Sequence, residues 1–234
     1  GRRLLNILEA ICINMKIEKN TKINVDELKN IYPHLHRSFD KKGDQFYDQI
    51  SAFHKSIRGS DPDAALYWMN RMIDGGIDPK YLARRIIRIA SEDIGLADPR
   101  ALSICLDAAS AYDRLGSPEG ELAIAEAIIF IAVAAKSNAT YKAFSASKKF
   151  VKEHSSDPVP MHLRNASTTF EKKLEYGKGY HYSHDNREAI SVNQSYFPDS
   201  LSTSNTTFYE PVKRGLEAKI AEKLSEIKFK RNGN

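Results

Sequence analysis

The chain has 234 residues, enough to bury a sizeable core, and its hydrophobic fraction of 41% is ordinary for a folded protein of one or two domains. Its net charge of +5 permits a nucleic-acid partner but is only a weak hint, because spread basic residues more often form a solvated surface. Cys12 and Cys105 lie far apart in apolar helical patterns and nothing resembles a signal peptide, which predicts reduced thiols in a cytoplasmic protein.

The beginning of the chain is predicted to be helical. The apolar spacing over residues 2–16 predicts one helix and residues 26–32 predict a shorter one, and we place a domain boundary near Asp40. The helical pattern starts at once and without an initiator methionine, so we expect a piece of a longer protein. A further helix is predicted from Gln45 to Gly59.

Residues 61–135 repeat one pattern of helix starts. In each start, Asp or Ser can cap the first turn and proline occupies the first helical position, where its missing N–H costs nothing. The four starts are Asp61-Pro62, Asp78-Pro79, Asp98-Pro99 and Ser117-Pro118. Glycine readily takes the left-handed conformation that ends a helix, and it recurs at Gly75-Gly76, Gly95 and Gly116. The pattern predicts four consecutive helices on short turns.

The apolar faces of these helices predict how they pack. In the helix that begins at Pro79, one apolar stripe faces away from the arginines, as expected for a helix with one buried side. The segment from Leu122 to Ala135 is apolar nearly all round, broken only by Glu126. We therefore predict an all-α domain, a multi-helix array around a buried central helix. That segment is too short to span a bilayer.

The last third of the chain is predicted to alternate helix and loop. Residues 141–154 continue in helical rhythm, and a short helix is predicted over 167–174. Residues 176–209 are rich in Gly, Ser, Asn and Tyr without a clear period, which predicts a long ordered loop held over the helices by its aromatic side chains. Pro211 is predicted to open a last amphipathic helix that ends near Phe229.

No catalytic constellation stands out. The segment 176–180 superficially suggests a phosphate-binding loop, but its glycine spacing differs from Gly-x-x-x-x-Gly-Lys-Ser/Thr, so a structural turn is favoured. Glu126 could act as an acid or base inside an apolar helix. An internal ion pair or a polar edge to that helix is the favoured interpretation, because buried carboxylates are usually paired.

Two histidine groups are candidate metal ligands. His181 and His184 with Asp185 form one group, and His34 with His36 forms the other. Neither group includes paired cysteines or a third ligand at a recognisable spacing, so surface histidines are favoured over a metal site.

Basic and aromatic clusters are candidate binding surfaces. Lysines of residues 148–178 with interleaved tyrosines could follow a phosphate backbone; they are Lys148, Lys149, Lys152, Lys172, Lys173 and Lys178. Arg88 precedes Glu92 by four residues, which predicts an ion pair within one helix. Tyr67, Trp68 and Met72 could anchor a subunit interface, or they could fill the domain's own core.

Specific strings resemble the RarA/MgsA family of AAA+ ATPases, bacterial relatives of the eukaryotic Werner-helicase-interacting protein. They are FYDQISAFHKSIRGSDPDAA (46–65), ASEDIGLADP (90–99), GSPEGE (116–121), VPMHLRNA (159–166), YGKGY (176–180), YEP (209–211) and GLE (215–217). The first six residues, GRRLLN, are similar to the end of the sensor-2 motif of the AAA+ lid.

The resemblance implies a nucleotide-sensing role for Arg2 and Arg3. A guanidinium suits contact with phosphate because its charge is permanent and its donors form a fork. ATP and magnesium would be cofactors of the longer parent protein and not of these residues, because the Walker A and B segments are absent here. We therefore expect no ATPase activity from these 234 residues.

The resemblance also implies a domain organisation and a function. Residues 1–39 would end the AAA+ lid domain, and 40–234 would form a helical oligomerisation domain related to the collar of clamp loaders, which joins subunits into a homotetramer. The parent would be a DNA-dependent ATPase that maintains replication forks and acts in recombination and repair. It would meet DNA and single-stranded-DNA-binding protein, in the cytoplasm at the nucleoid and not at a membrane.

This sequence departs from the family pattern at two places. Ser167 replaces a proline that the family often has, and residues 202–207 lack the basic side chains usual before Tyr209. The second departure weakens the prediction that this loop binds DNA. An alternative function is a monomeric nucleic-acid-binding module, whose contacts would be Lys148, Lys149, Arg164 and Lys178.

Overall fold

The structure is a computed structural model that describes residues 44–154, 156–192, 194–201 and 206–231, together with Glu9, Cys12 and Asn24. These residues form α-helices, short helical turns and loops, with no strand among them, so the predicted all-α class is confirmed. The predicted domain 1–39 lies almost wholly outside the described residues. None of the described helices is both long and apolar enough to cross a membrane.

Eight α-helices make up the described part of the chain. They are α1 (Asp44–Arg58), α2 (Pro62–Asp74), α3 (Pro79–Ile89), α4 (Arg100–Leu115), α5 (Glu119–Val133), α6 (Ala139–Glu153), α7 (Thr169–Lys173) and α8 (Glu217–Arg231). A π-helical turn (Ala90–Ile94) and a 3₁₀ turn (Gly95–Ala97) lie between α3 and α4. Further 3₁₀ turns are Met161–Leu163, Ser183–Asp185 and Asp199–Leu201.

Three of the four predicted helix starts carry the expected side-chain bond. Asp61 accepts from the backbone N–H of Ala64, and the carboxylates of Asp78 and Asp98 accept from the N–H two residues on. Ser117 does not cap α5, because its hydroxyl lies 3.0 Å from the phenol oxygen of Tyr112. The predicted glycine stops are confirmed at Gly76, Gly95 and Gly116, which all have positive φ, whereas Gly75 is right-handed.

Helix α5 is the central helix, but it is not surrounded. It packs against α1, α2, α3 and α4 through a side that buries Ile124, Ile128 and Ile131. The opposite side, which includes Leu122, is exposed, so the prediction of burial all round is wrong. Glu126 lies on that exposed side. It is therefore a polar edge of the helix and not an internal acid.

The two cysteines are expected to differ sharply in reactivity. Cys12 is exposed, whereas Cys105 is fully buried in α4, and burial raises the pKa of its thiol to about 12. The thiolate is the reactive form, so Cys105 should react with a thiol reagent at least about a hundredfold more slowly than Cys12 in the folded protein. Ellman's reagent should titrate one thiol quickly and the second only in denaturant. A Cys12→Ser variant with a fast-reacting thiol would contradict this prediction.

The last helix begins later than predicted. Pro211 does not open it, and α8 begins at Glu217 instead. The backbone N–H of Leu216 donates to the carbonyl of Ala97 at 2.8 Å, which holds the preceding residues on the 3₁₀ turn instead of in a helix. In its described residues the segment 176–209 is a loop with two 3₁₀ turns, as predicted, and Phe208 packs edge-on against Phe150 of α6.

Candidate functional site: the junction at the π-helical turn

Residues 90–97, which we call the junction, are the place where distant segments meet. Helix α3 widens there into a π-helical turn, a feature found often at functional sites. The backbone N–H of Ser137, before α6, donates to the carbonyl of Asp93 at 2.7 Å. Leu216 binds Ala97 on the other side of the junction. The junction therefore ties α3, α6 and α8 to one short segment.

A buried carboxylate holds α1 to the junction. His54 Nε2 donates to Asp93 Oδ2 at 2.6 Å, and Arg58 Nε donates to Asp93 Oδ1 at 2.8 Å. Burial alone would raise the pKa of Asp93, but the hydrogen bonds from His54 and Arg58 and the guanidinium charge outweigh it and hold that pKa below its usual value. Asp93 is therefore ionised and paired at neutral pH.

Glu92 extends this cluster. Arg88 Nε lies 3.0 Å from Glu92 Oε2, which confirms the predicted i,i+4 pair, and Arg58 lies 3.6 Å from the other oxygen. Within the described residues, His54, Glu92 and Asp93 are the one group of three candidate metal ligands whose atoms lie within 4.8 Å of one another. Arg58 already lies against both carboxylates, so we interpret the cluster as an ion-pair network.

A cavity of about 630 Å³ opens beside the network. Arg58, Lys136 and Arg214 line it together with Asp93 and Glu92. Lys136 Nζ donates to the carbonyls of Ala132 and Ala134, both at 2.7 Å, and thereby caps the end of α5. These side chains join elements of the fold. They do not pair a nucleophile with a base and an oxyanion site.

Of the two candidate histidine groups, the one that the structure describes is not brought together as a metal site, as the sequence analysis favoured. The possible ligand atoms of His181, His184 and Asp185 do not all lie within 4.8 Å of one another, whereas those of His54, Glu92 and Asp93 do. His184 instead packs near the ring of Tyr182. His34 and His36, like Arg2 and Arg3, lie outside the described residues.

Most of the predicted DNA contacts bind groups of their own chain. Lys149 lies 3.8 Å from Glu153, and Lys178 pairs with Glu175. Arg164 Nε donates to the carbonyl of Val159 at 2.7 Å, and its guanidinium lies over the ring of Tyr176. Lys148 is exposed on α6. Their role in binding DNA stays a prediction.

The three residues of the candidate interface cluster on α2 differ in how deeply they are buried. Met72 is fully buried and belongs to the domain's own core, so the interface interpretation is wrong for this residue. Trp68 is partly buried against that core. Tyr67 is mostly exposed and packs edge-on against Trp68, with ring centroids 5.1 Å apart. An interface role for these two side chains stays a prediction.

Sequence reasoning missed two features that the structure shows. One is the Asp93 cluster. The available hint in the sequence was that His54 and Arg58 are four residues apart and so lie on one face of a helix. The other is a pair of exposed apolar helix faces, on α5 (Leu122, Ile129 and Val133) and on α6 (Tyr141, Phe144 and Val151). All six side chains are between 43% and 75% exposed. Their regular spacing was the available signal.

Comparison with known families gives two matches that meet inside this fold. A family described as "MgsA AAA+ ATPase C terminal" matches residues 59–228, and one described as "AAA C-terminal domain" matches residues 1–58. The two matches meet at the end of α1, although α1 packs on α2 and α5. The predicted domain boundary near Asp40 stays a prediction.

Similar proteins in other organisms match along most of the chain. Replication-associated recombination protein A of Coxiella burnetii is 53% identical over 96% of this chain and 51% of its own length. The protein of the same name from Escherichia coli K12 is 47% identical over 96% of this chain and 50% of its own length. ATPase WRNIP1 of Dictyostelium discoideum is 43% identical over 74% of this chain and 19% of its own length.

The chain thus spans about half the length of these bacterial relatives. The family match covers most of the described helices, from the end of α1 into α8, and the identities to the two bacterial proteins extend along nearly the whole chain. The resemblance to RarA/MgsA proteins is therefore confirmed, and the chain belongs to the family of MgsA-type AAA+ ATPase C-terminal domains.

Proposed function

We propose that this domain joins copies of the chain into a homotetramer and thereby holds the ATPase modules of a longer protein at a fixed spacing. The observation that supports the proposal best is the pair of exposed apolar helix faces on α5 and α6, which carry three large apolar side chains each. Exposed apolar surface of this kind usually marks an interaction site. The number four comes from the family resemblance.

The longer protein would act in replication-fork maintenance, recombination and repair, as the names of the bacterial relatives suggest. It would be a DNA-dependent ATPase that uses ATP and magnesium in its ATPase module and meets single-stranded-DNA-binding protein, in the cytoplasm at the nucleoid. Linking several modules raises the effective concentration of each one at DNA. Weak contacts from several subunits then add to a stable attachment.

We favour self-association over the alternative function of a monomeric nucleic-acid-binding module. Lys149 and Lys178 lie against glutamates of their own chain, which leaves less unpaired positive charge for phosphate. The six apolar side chains, in contrast, are between 43% and 75% exposed. Aliphatic and aromatic surface suits contact with another protein better than contact with a phosphate backbone.

The mass of the chain in solution tests the proposal. Light scattering on a sizing column should give about four times the chain mass of 26.4 kDa, at both low and high salt, because an apolar interface responds weakly to ionic strength. A monomer at both salt concentrations would contradict self-association. Assembly that appears only with added DNA and disappears at high salt would favour the nucleic-acid-binding module instead.

A further inference from the structure

Each of the exposed faces of α5 and α6 contains a row of four residues along the helix, which we call the seam of that helix. On α5 the seam is Leu122, Glu126, Ile129 and Val133, at spacings of four, three and four. On α6 it is Tyr141, Phe144, Lys148 and Val151, at spacings of three, four and three. Such spacings place all members on one side of a helix, as in the a and d positions of helices that pack in pairs. Each seam has three apolar side chains and one charge.

Neither seam is covered within the described chain. The α5 seam lies opposite the side that packs against α1 to α4. Helix α6 packs on the junction and buries only Ala139, at its first position. The hydrogen bond from Ser137 N–H to the Asp93 carbonyl and the cap formed by Lys136 hold the connection, so α6 does not fold back on α5.

The order of residues in the two seams makes them complementary in one direction only. When the helices run antiparallel, Leu122 faces Val151, Ile129 faces Phe144 and Val133 faces Tyr141. Glu126 then faces Lys148. When the helices run parallel, each charge faces an apolar side chain and would be buried without a partner, which is costly.

The surface beside the α5 seam also suits a basic helix. A groove of about 280 Å³ lies between α4 and α5, and Glu126 lines both the groove and the seam. Four alanines (Ala108, Ala111, Ala123 and Ala127) form much of the groove, and Asp107 adds a second carboxylate. Small side chains permit close approach of a third helix. Helix α6 carries four lysines and one glutamate, so its charge is opposite to that of the groove.

We propose that α6 of one copy docks antiparallel on the α5 seam of a second copy, with Lys148 of one chain paired to Glu126 of the other. This inference rests on the proposed self-association and names its surfaces. Each copy offers one α6 seam and one α5 seam, so the contact joins two different surfaces. Repetition of such a contact closes into a ring when the rotation permits it, and reciprocal exchange gives a closed pair.

Charge reversal tests the pairing. Glu126→Lys and Lys148→Glu should each raise the concentration at which half the chains are assembled by at least about tenfold, because like charges then meet. The double variant should return to within about threefold of the wild type. Sedimentation velocity over a concentration series measures this. The matched control is Lys149→Glu, which makes the same charge change one residue away and off the seam, and should assemble like the wild type.

Cysteine pairs test whether the contact joins two chains. In a Cys12→Ser background, Glu126→Cys and Lys148→Cys are made as separate variants, mixed, and oxidised with diamide. The mixture should give disulfide-linked pairs containing one chain of each kind, in at least about tenfold higher yield than for Lys149→Cys in place of Lys148→Cys. In the variant with both cysteines, a disulfide closed within a single chain would overturn the proposal, because α6 would then cover its own α5.

The two proposals fail differently. A wild-type chain that stays monomeric at all concentrations contradicts the proposed function and this inference together. A wild-type chain that assembles, while both charge reversals assemble equally well, overturns this inference alone and leaves the oligomerisation role in place. A double variant that unfolds at the same urea concentration as the wild type and still assembles as weakly as the single variants would also overturn the pairing of Glu126 with Lys148.

Discussion

We expect the substitution Gly215→Ala to lower the free energy of unfolding by about 3 kcal/mol and to loosen α8 from the junction. Gly215 has a φ of +54°, and an added Cβ would lie 2.2 Å from the carbonyl oxygen of Ala97 and 3.0 Å from the Cβ of Ala135. The nearest atom belongs to the backbone of the junction, so no side-chain rotation can relieve the clash. The adjacent hydrogen bond from Leu216 to Ala97 should be lost.

Urea unfolding measures the stability change, and hydrogen exchange of the Leu216 amide reports the detachment directly. The matched control is Gly116→Ala, because Gly116 also has positive φ, +70°, but an added Cβ would meet nothing within 4 Å. That variant should lose less, about 1 to 2 kcal/mol, which is the cost of a backbone conformation that residues with a Cβ rarely adopt. Equal losses in the two variants would show that the close approach at Ala97 contributes nothing.

The second large effect is expected at Asp93. Replacement by asparagine should lower the free energy of unfolding by about 2 to 3 kcal/mol at pH 7, because the nearly buried carboxylate accepts hydrogen bonds from both His54 and Arg58. The half-exposed position of Arg58 keeps the loss below that of a fully buried pair. The matched control is Asp113→Asn, which removes an exposed ion pair with Lys80 and should leave the free energy of unfolding nearly unchanged.

The pH dependence of this effect has a definite sign. Burial would raise the pKa of Asp93, but the bonds from His54 and Arg58 prevail and the folded-state pKa lies below the ordinary value of about 3.9. Stability from the ionised carboxylate is therefore complete above about pH 5 and is lost as the pH falls through the folded-state pKa. Urea unfolding should show the gap between wild type and Asp93→Asn shrinking at pH 3. A gap of constant size would contradict this interpretation.

The parts of the fold that the sequence predicted well are those that depend on neighbouring residues. The caps at Asp61, Asp78 and Asp98 involve a side chain and a backbone N–H two or three positions on, so a short string specifies them. The same holds for the glycine stops and for the pair of Arg88 with Glu92. Local patterns of this kind hold whatever the helices later pack against.

The wrong predictions depend on which other elements of the fold a residue contacts. Ser117 was expected to cap α5, but Tyr112 offers its hydroxyl another partner. Pro211 was expected to open the last helix, but the contact of Leu216 with Ala97 delays it. The far side of α5 was expected to be buried but is exposed, because an apolar residue can face either a core or another protein.

The candidate sites also differ in how far the sequence could predict them. Similarity of whole strings identified the family without any geometry, since long ordered matches carry more information than composition. In the Asp93 cluster, Asp93 is separated from Arg58 by 35 positions and from His54 by 39 positions along the chain. No rule of sequence spacing predicts contacts over such separations. The seams could have been read as periodic, but a sequence cannot tell an apolar stripe that faces the core from one that faces solvent.

By itself, the sequence determined the helical class, most helix boundaries and the family, because capping bonds, glycine conformations and matching strings act over short distances along the chain. Tertiary structure alone decided that α5 buries only one side, that Gly215 lies against Ala97, and that Asp93 holds α1 to the junction. The physical reason is that burial and ion pairing depend on which distant groups a fold brings within a few ångströms. Spacing along the chain does not encode those distances.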